Sequence, residues 1–335
     1  MTTTTNIESG ARVAGPSAHH VLDLGIGDAE QIHSQARDCA ARYANTEDPQ
    51  FHEDLGELAE HCPPALRRGL RRFRTSVHAE TLIVRGLTVD DEALEPTPPS
   101  WSQARTVGVH HAFTAALVAS ALGECIGWGT QQAGRLITDI VPTRGMEESL
   151  VSSSSALELG WHTEDAFSDY RADYVGLFGL RDTGAAATTI ASVDVDELPA
   201  AVRATLFEER FITHPDDAHD SEAGAGLRPT PILSGHREAP LLRIDRDFTE
   251  VHTADDDVAH AALRHVRAHL DERIVEVPMR PGDMVFLDNR KVVHGRRPFT
   301  PRYDGTDRWL KRVNVVVDLT RTAAGRHDLE RRIIG

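Results

Sequence analysis

Cysteine is scarce in this 335-residue chain: the three present, Cys39, Cys62 and Cys125, cannot all pair and form no C-x-x-C motif. Disulfide frameworks and cysteine-built zinc sites are therefore not expected, and the three read as buried thiols. Long apolar runs are missing as well. No stretch reaches the roughly 18 residues of a membrane span, and MTTTTNIESGARV lacks the charged and apolar regions of a signal peptide, so a cytoplasmic protein is expected. Basic residues are also outnumbered. With 36 Lys and Arg against 52 Asp and Glu, the net charge of −16 argues against nucleic acid or an anionic membrane as partner. There is no internal repeat and no clear domain boundary, so the expected organisation is a flexible N-terminus, 1–20, and one domain over 21–335. Oligomeric state is left open.

What is present changes texture along the chain. Helical spacing marks 28–43, 64–84 and 109–122, with Leu66, Leu70, Phe73 and Val77 as one apolar stripe. EPTPPSWSQ, 95–103, is a connector. Short β-like runs follow at 134–141, 155–160, 174–180, 188–193, 272–278, 284–287 and 312–319, with a helix at 255–273. Many short strands with turn residues between them predict a mainly β fold with flanking helices, a barrel or jelly roll. The aperiodic stretch at about 212–235 interrupts the strands and reads as a lid-like insertion, with Gly224 and Gly226 supplying freedom. The C-terminal RHDLERRIIG reads as a short solvated helix or tail.

Against 18 histidines and 52 acidic residues, a His-x-Asp/Glu pair is weak evidence by itself, and it occurs six times. Positions i and i+2 share a face only in a strand. His52, His78 and His269 fall in helix-like stretches, while His214 and His236 flank the irregular segment. That leaves His162 and Glu164 in LGWHTEDAF, which follow an extended run. A facial site of two histidines and one carboxylate needs a second imidazole on a neighbouring strand, and His294, closing VVHG, is the best candidate.

Downstream, in DGTDRWLKRVNVVVDL, strand alternation sets Arg308, Leu310, Arg312 and Asn314 on one face and Val313, Val315, Val317 and Leu319 on the other. Two guanidiniums beside a buried strand are costly without anions, so two carboxylate ligands are the natural reading. The pattern then describes Fe(II) held by His162, Glu164 and His294, with 2-oxoglutarate taking two open positions, O2 the third, and Arg308 holding the dicarboxylate.

The order His-Thr-Glu, His about 130 residues on and Arg 14 residues later resembles the clavaminate synthase-like iron and 2-oxoglutarate oxygenases. More narrowly, WHTEDAF, Asp-x-Asp at 245–247 and YDGTDRWLKR resemble the arginine β-hydroxylases of peptide-antibiotic pathways, over roughly residues 125–320. The resemblance implies a distorted double-stranded β-helix (jelly roll, cupin-like) core and hydroxylation of a free amino acid, L-arginine at C3 with C4 as a second position. It implies Thr188, or Thr189, supporting the cosubstrate. Arg312 would hold the substrate α-carboxylate, and Gln131, or Gln132, would meet the amine together with Glu164. Asp245 and Asp247, if extended, would form an acidic fork for the guanidinium, with Asp216 or Asp217 closing over it. Lysine or asparagine are alternative substrates, an ammonium also seeking carboxylates. Two other classes compete: a zinc hydrolase, which has no use for Arg308, and a β-barrel ligand sensor, which would not depend on His162.

Overall fold

The computed structural model describes residues 19–149, 151–181, 186–219 and 227–335. The large sheet has eight strands: β1 (His20–Asp23), β2 (Thr81–Arg85), β3 (Glu124–Trp128), β4 (Ile137–Ile140), β6 (Tyr174–Arg181), β13 (Met284–Asp288), β15 (Trp309–Val316) and β16 (Ile333–Ile334). A second sheet of four holds β5 (Leu159–His162), β7 (Thr188–Ser192), β12 (Val275–Val277) and β14 (Val292–Arg296), in the order β12-β7-β14-β5. Two short ribbons join β8 (Phe211–Thr213) to β11 (Thr249–Val251) and β9 (Leu233–His236) to β10 (Ala239–Leu242). Among the described residues no sheet closes into a barrel.

The two sheets face one another, because alternate residues of β6, β13 and β15 meet those of β7, β12 and β14. Val175, Leu177, Leu287 and Leu310 bury against Ile190, Val277 and Val292. The opposite face of the large sheet, including Tyr174, Phe178, Phe286 and Val313, carries α1 (Ile26–Arg42), α2 (Pro49–Glu60), α3 (Pro64–Thr75) and α4 (Val109–Ser120). The outer face of the small sheet, with Ala191 and Val293, is covered by α5 (Ala200–Leu206) and α6 (Asp257–Glu272). Caps set helix starts: Asp48 accepts from Gln50 N ahead of Pro49, and Asp256 accepts from Ala259 N. No helix is long and apolar enough to cross a membrane.

Several elements differ from the sequence reading. The helix expected over 64–84 stops at Thr75, because Ser76 turns extended and the stripe ends at Phe73; Val77 is exposed and His78 lies in the connection before β2. Strand β15 begins at Trp309 and ends at Val316, so Val317 and Leu319 leave it, and Val317 N donates to Asp173. The C-terminus is not a solvated tail: Ile333 and Ile334 pair parallel to β3, with Arg332 buried beside Glu124. Helix α2 and strand β3 were not in the sequence reading. The expected N-terminal flexibility and the glycines 224 and 226 lie outside the described residues.

Strand β15 is anchored by a buried cluster. The Asp139 carboxylate takes Trp309 Nε1, Lys311 Nζ and Arg135 Nη1, each at 2.7 Å. Lys311 is fully buried, and that burial pulls its ammonium below the ordinary lysine range while Asp139 opposes the shift. Replacing Asp139 by Ala should strand two buried cations and cost roughly 3–5 kcal/mol in urea unfolding. A loss under about 1 kcal/mol would show that these charges do not depend on Asp139.

Candidate active site between the sheets

The pairing of β14 with β5 sets His294 directly opposite His162, with ring centroids 4.5 Å apart. Gly295 is required between them, since a Cβ there would lie 2.6 Å from the Leu159 carbonyl. His162 Nδ1 lies 2.9 Å from Gly160 O, a contact that fixes the ring and turns Nε2 into the space between the sheets. After Thr163 the chain turns, and Asn289 grips it: Asn289 Oδ1 accepts from Glu164 N at 2.6 Å and Nδ2 donates to Glu164 O at 3.0 Å. This brings Glu164 Oε2 to 3.7 Å from His162 Nε2 and 3.3 Å from His294 Nε2. Neighbouring ligand atoms on an octahedral first-row ion sit roughly 3 Å apart, so the spacing fits.

Two further observations favour a cation here. Among the described residues, Glu164 Oε2 is buried with no hydrogen-bond partner. Oε1 is engaged by Arg312 Nη1 at 2.5 Å, so one oxygen is held and the other left available. Burial pushes the Glu164 carboxyl upward, but Arg312 and the two imidazoles hold it well below the ordinary range. Among the described residues, His162, Glu164 and His294 are the one group of three whose ligand atoms converge, within 4.8 Å of one another.

These residues open on a cavity that Gln131, Asp216, Asp245, Arg296, Arg308 and Arg312 also line, a concave site of the kind that takes a small ligand. Its charges are segregated. Arg308 and Arg296 lie near each other, Arg308 Nη2 donating to Thr188 Oγ1 at 3.2 Å. Burial and Arg308 push the Arg296 guanidinium down to about 10. Asp216 and Asp245 also line the cavity; burial raises both carboxyls, and the imidazole of His162 opposes the rise in each. Gln131 and Arg312 complete the walls, Arg312 Nε donating to Thr138 Oγ1 at 3.3 Å.

Where the sequence left pairs open, the positions differ. Gln131 lines the cavity, whereas the Gln132 amide is spent on the backbone of Asp139. Asp216 lines it and Asp217 is exposed. Thr188 meets Arg308, while Thr189 lines a separate surface pocket. The acidic fork does not form. Residues 245–248 make a turn in which Asp245 Oδ1 accepts from Asp247 N at 2.8 Å and Phe248 N at 2.9 Å, so the two carboxylates do not share a face. Asp247 instead lines the surface pocket with Arg246 and Asp271. Of the aspartates read as guanidinium ligands, Asp216 and Asp245 share the cavity, which Glu164 and Asp165 also line.

Sequence reasoning missed Arg296, Asn289 and His219. Arg296 was recoverable, being two positions after His294 on the same strand. Asn289 and His219 act through tertiary contacts that no local pattern announces.

Known proteins similar to this chain agree with that geometry. Residues 81–314 match the family described as "Taurine catabolism dioxygenase TauD, TfdA family". An enduracididine beta-hydroxylase from Streptomyces hygroscopicus is 35% identical over 93% of this chain and 99% of its own. An L-ornithine/L-arginine 3-hydroxylase from Catenulispora acidiphila is 32% identical over 94% and 99%. A crystal structure of the non-heme iron oxygenase OrfP in complex with Fe, succinate and (3S)-hydroxy-L-Arg superposes with a TM-score of 0.87 at 35% identity, covering 94% of this chain and 99% of that one.

Anaerobic addition of Fe(II) to metal-free protein should raise Tm by several degrees. His294→Ala should abolish that gain. A folded His294→Ala protein that keeps the full metal-dependent gain would show that the ion binds elsewhere.

Proposed function

Because the chain belongs to the taurine catabolism dioxygenase TauD, TfdA family, we propose that it hydroxylates free L-arginine at C3, with C4 as a second position. The protein is an Fe(II)- and 2-oxoglutarate-dependent oxygenase. The two facing sheets are read as the distorted double-stranded β-helix core of one domain spanning 21–335, with the insertion at about 212–235. The reading places it in the cytoplasm and in antibiotic biosynthesis; the similarity to an enduracididine beta-hydroxylase supports its action on an amino acid.

Bound iron and 2-oxoglutarate would supply, with O2, the oxidant that exchanges a substrate C–H for C–OH as 2-oxoglutarate becomes succinate and CO2. His162, Glu164 and His294 would hold the iron, and Arg312, by engaging Oε1, keeps Glu164 presenting Oε2. Arg308 and Thr188 would hold the distal carboxylate of 2-oxoglutarate. On the substrate, Arg312 would meet the α-carboxylate, Gln131 and Glu164 the amine, and Asp245 and Asp216 the guanidinium. Asp247, outside the cavity, is given no part.

The observation that carries arginine over its rivals is the pair of partly buried carboxylates, Asp216 and Asp245, in a cavity that already holds Glu164. Burying two more anions is costly, and a cation repays it. An asparagine amide brings no charge, and a lysine ammonium lacks the planar fork that can bridge two carboxylates. A zinc hydrolase leaves Arg308 unexplained, and a ligand sensor leaves the convergent triad unexplained.

Protein loaded anaerobically with Fe(II) and 2-oxoglutarate, then exposed to air, should add one or two oxygen atoms to arginine with coupled succinate, read by mass spectrometry. Turnover of lysine or asparagine without arginine would overturn the substrate assignment. Asp245→Asn should raise the arginine KM about tenfold or more, with the 2-oxoglutarate KM little changed. The raised carboxyls also set a pH dependence. They become neutral at a higher pH than ordinary carboxylates, so as pH falls the arginine KM should climb before a free aspartate would titrate. A KM that rises only where free aspartate titrates would show that neither carboxyl is raised.

A further inference from the structure

His219 stands three residues after Asp216, in the segment that follows β8. Local bonds close that turn: Ala218 N donates to Asp216 Oδ1 at 3.1 Å and His219 N to Asp216 O at 3.2 Å. The imidazole itself leaves the surface, its side chain only 2% exposed. It stands edge-on to Trp128 and Phe167, with centroids at 5.3 Å and 4.8 Å. Nε2 lies 3.0 Å from Asp165 Oδ1, and Nδ1 lies 2.8 Å from Thr130 Oγ1. A single neutral tautomer satisfies both contacts, Nε2 donating to the carboxylate and Nδ1 accepting from the hydroxyl.

Each partner is the chain neighbour of a group facing the cavity. Thr130 precedes Gln131. Asp165 follows Glu164 and has a left-handed backbone, φ 53°, which costs a residue other than glycine roughly 1 kcal/mol and is sustained by surrounding bonds. Its second oxygen is taken by Trp128 Nε1 at 2.6 Å and Asn314 Nδ2 at 3.2 Å, Asn314 lying two residues beyond Arg312 on β15. One buried ring therefore joins the segment bearing Asp216 to the turns bearing Gln131 and Glu164.

Resting on the reading of Asp216 as a guanidinium ligand, we propose that His219 is a positioning residue for amino-acid recognition. Its ring and Asp165 border the cavity, and through its contacts with Thr130 and Asp165 it fixes Asp216 and Gln131 relative to Glu164 and thereby sets how the substrate carbon is presented. Removing it should loosen one end of the cavity and leave the Arg308 end intact, because Arg308 meets Thr188 at the start of β7 whereas His219 meets Thr130 and Asp165.

The test compares wild type, His219→Phe, which keeps the ring between Trp128 and Phe167 but deletes both polar contacts, and His219→Gln, which keeps an amide donor. In His219→Phe the arginine KM should rise about tenfold, while kcat changes less than about threefold and succinate exceeds hydroxylated product. Anaerobic 2-oxoglutarate binding measured without amino acid should be unchanged, and His219→Gln should recover part of the KM. Hydrogen exchange should quicken in 128–131 and 214–219 but not in 292–316. An unchanged arginine KM with unchanged exchange overturns the proposal. So does a parallel loss of 2-oxoglutarate affinity, which marks a general structural role. Wild-type turnover separates the two levels: if another amino acid is the substrate, the arginine reading fails and the same comparison is read with that amino acid. If none is turned over, the exchange pattern decides.

Discussion

The register of β14 between β5 and β7 is the constraint on which the site depends. In that register Val292, His294 and Arg296 face the space between the sheets, while Val293 faces α6. Side chains alternate with period two, so a slip of one residue would send His294 into the apolar layer and bring Val293 to the centre. The apolar layers on both sides oppose that slip. The same packing that stabilises the small sheet therefore also sets two imidazoles opposite one another, ready for a third ligand from the turn after β5.

Around that centre the cavity is a problem in buried charge. Arg296, Arg308, Arg312, Glu164, Asp216 and Asp245 all line it, and Arg312 and Glu164 form a close pair. Arg296 is held by carbonyls and Ser154 Oγ, Arg308 by Thr188, and Asp245 by the backbone N–H groups of its own turn. Such groups cost stability, and ligands of opposite charge recover it. A dicarboxylate at the arginine end and a cationic amino acid at the aspartate end would answer both costs at once, which is why the two substrates belong to one cavity.

How much of this the sequence carried follows from the range of the interactions. His162, Glu164, His294, Arg308 and Arg312 were legible because they lie on or beside strands whose alternation is a local property. Gln131 over Gln132 was not decidable, since the difference is whether an amide is spent on Asp139 or faces the cavity. The Asp245 and Asp247 fork failed for a related reason. The sequence permits an extended Asp-x-Asp, but an aspartate that accepts from the two following amides favours a turn over a strand, and here the turn won. The overlong third helix failed because its apolar stripe ran on into β-branched residues that belong to β2.

Reaction and recognition are thus assigned to parts of the chain with different mechanical support. His162, His294 and Arg312 belong to strands, and Arg308 immediately precedes one, so each is held by ladder bonds on a neighbour. Gln131, Asp216 and Asp245 sit in turns or at a lone bridge, secured by side-chain hydrogen bonds through His219, Thr249 and Asp245 itself. Ladder bonds are cooperative and survive loss of one side chain, whereas a turn held by two or three side-chain bonds does not. Substitutions at the turns can therefore change which amino acid fits while iron and 2-oxoglutarate stay in place, and in this chain those turns place two partly buried carboxylates where a guanidinium would lie.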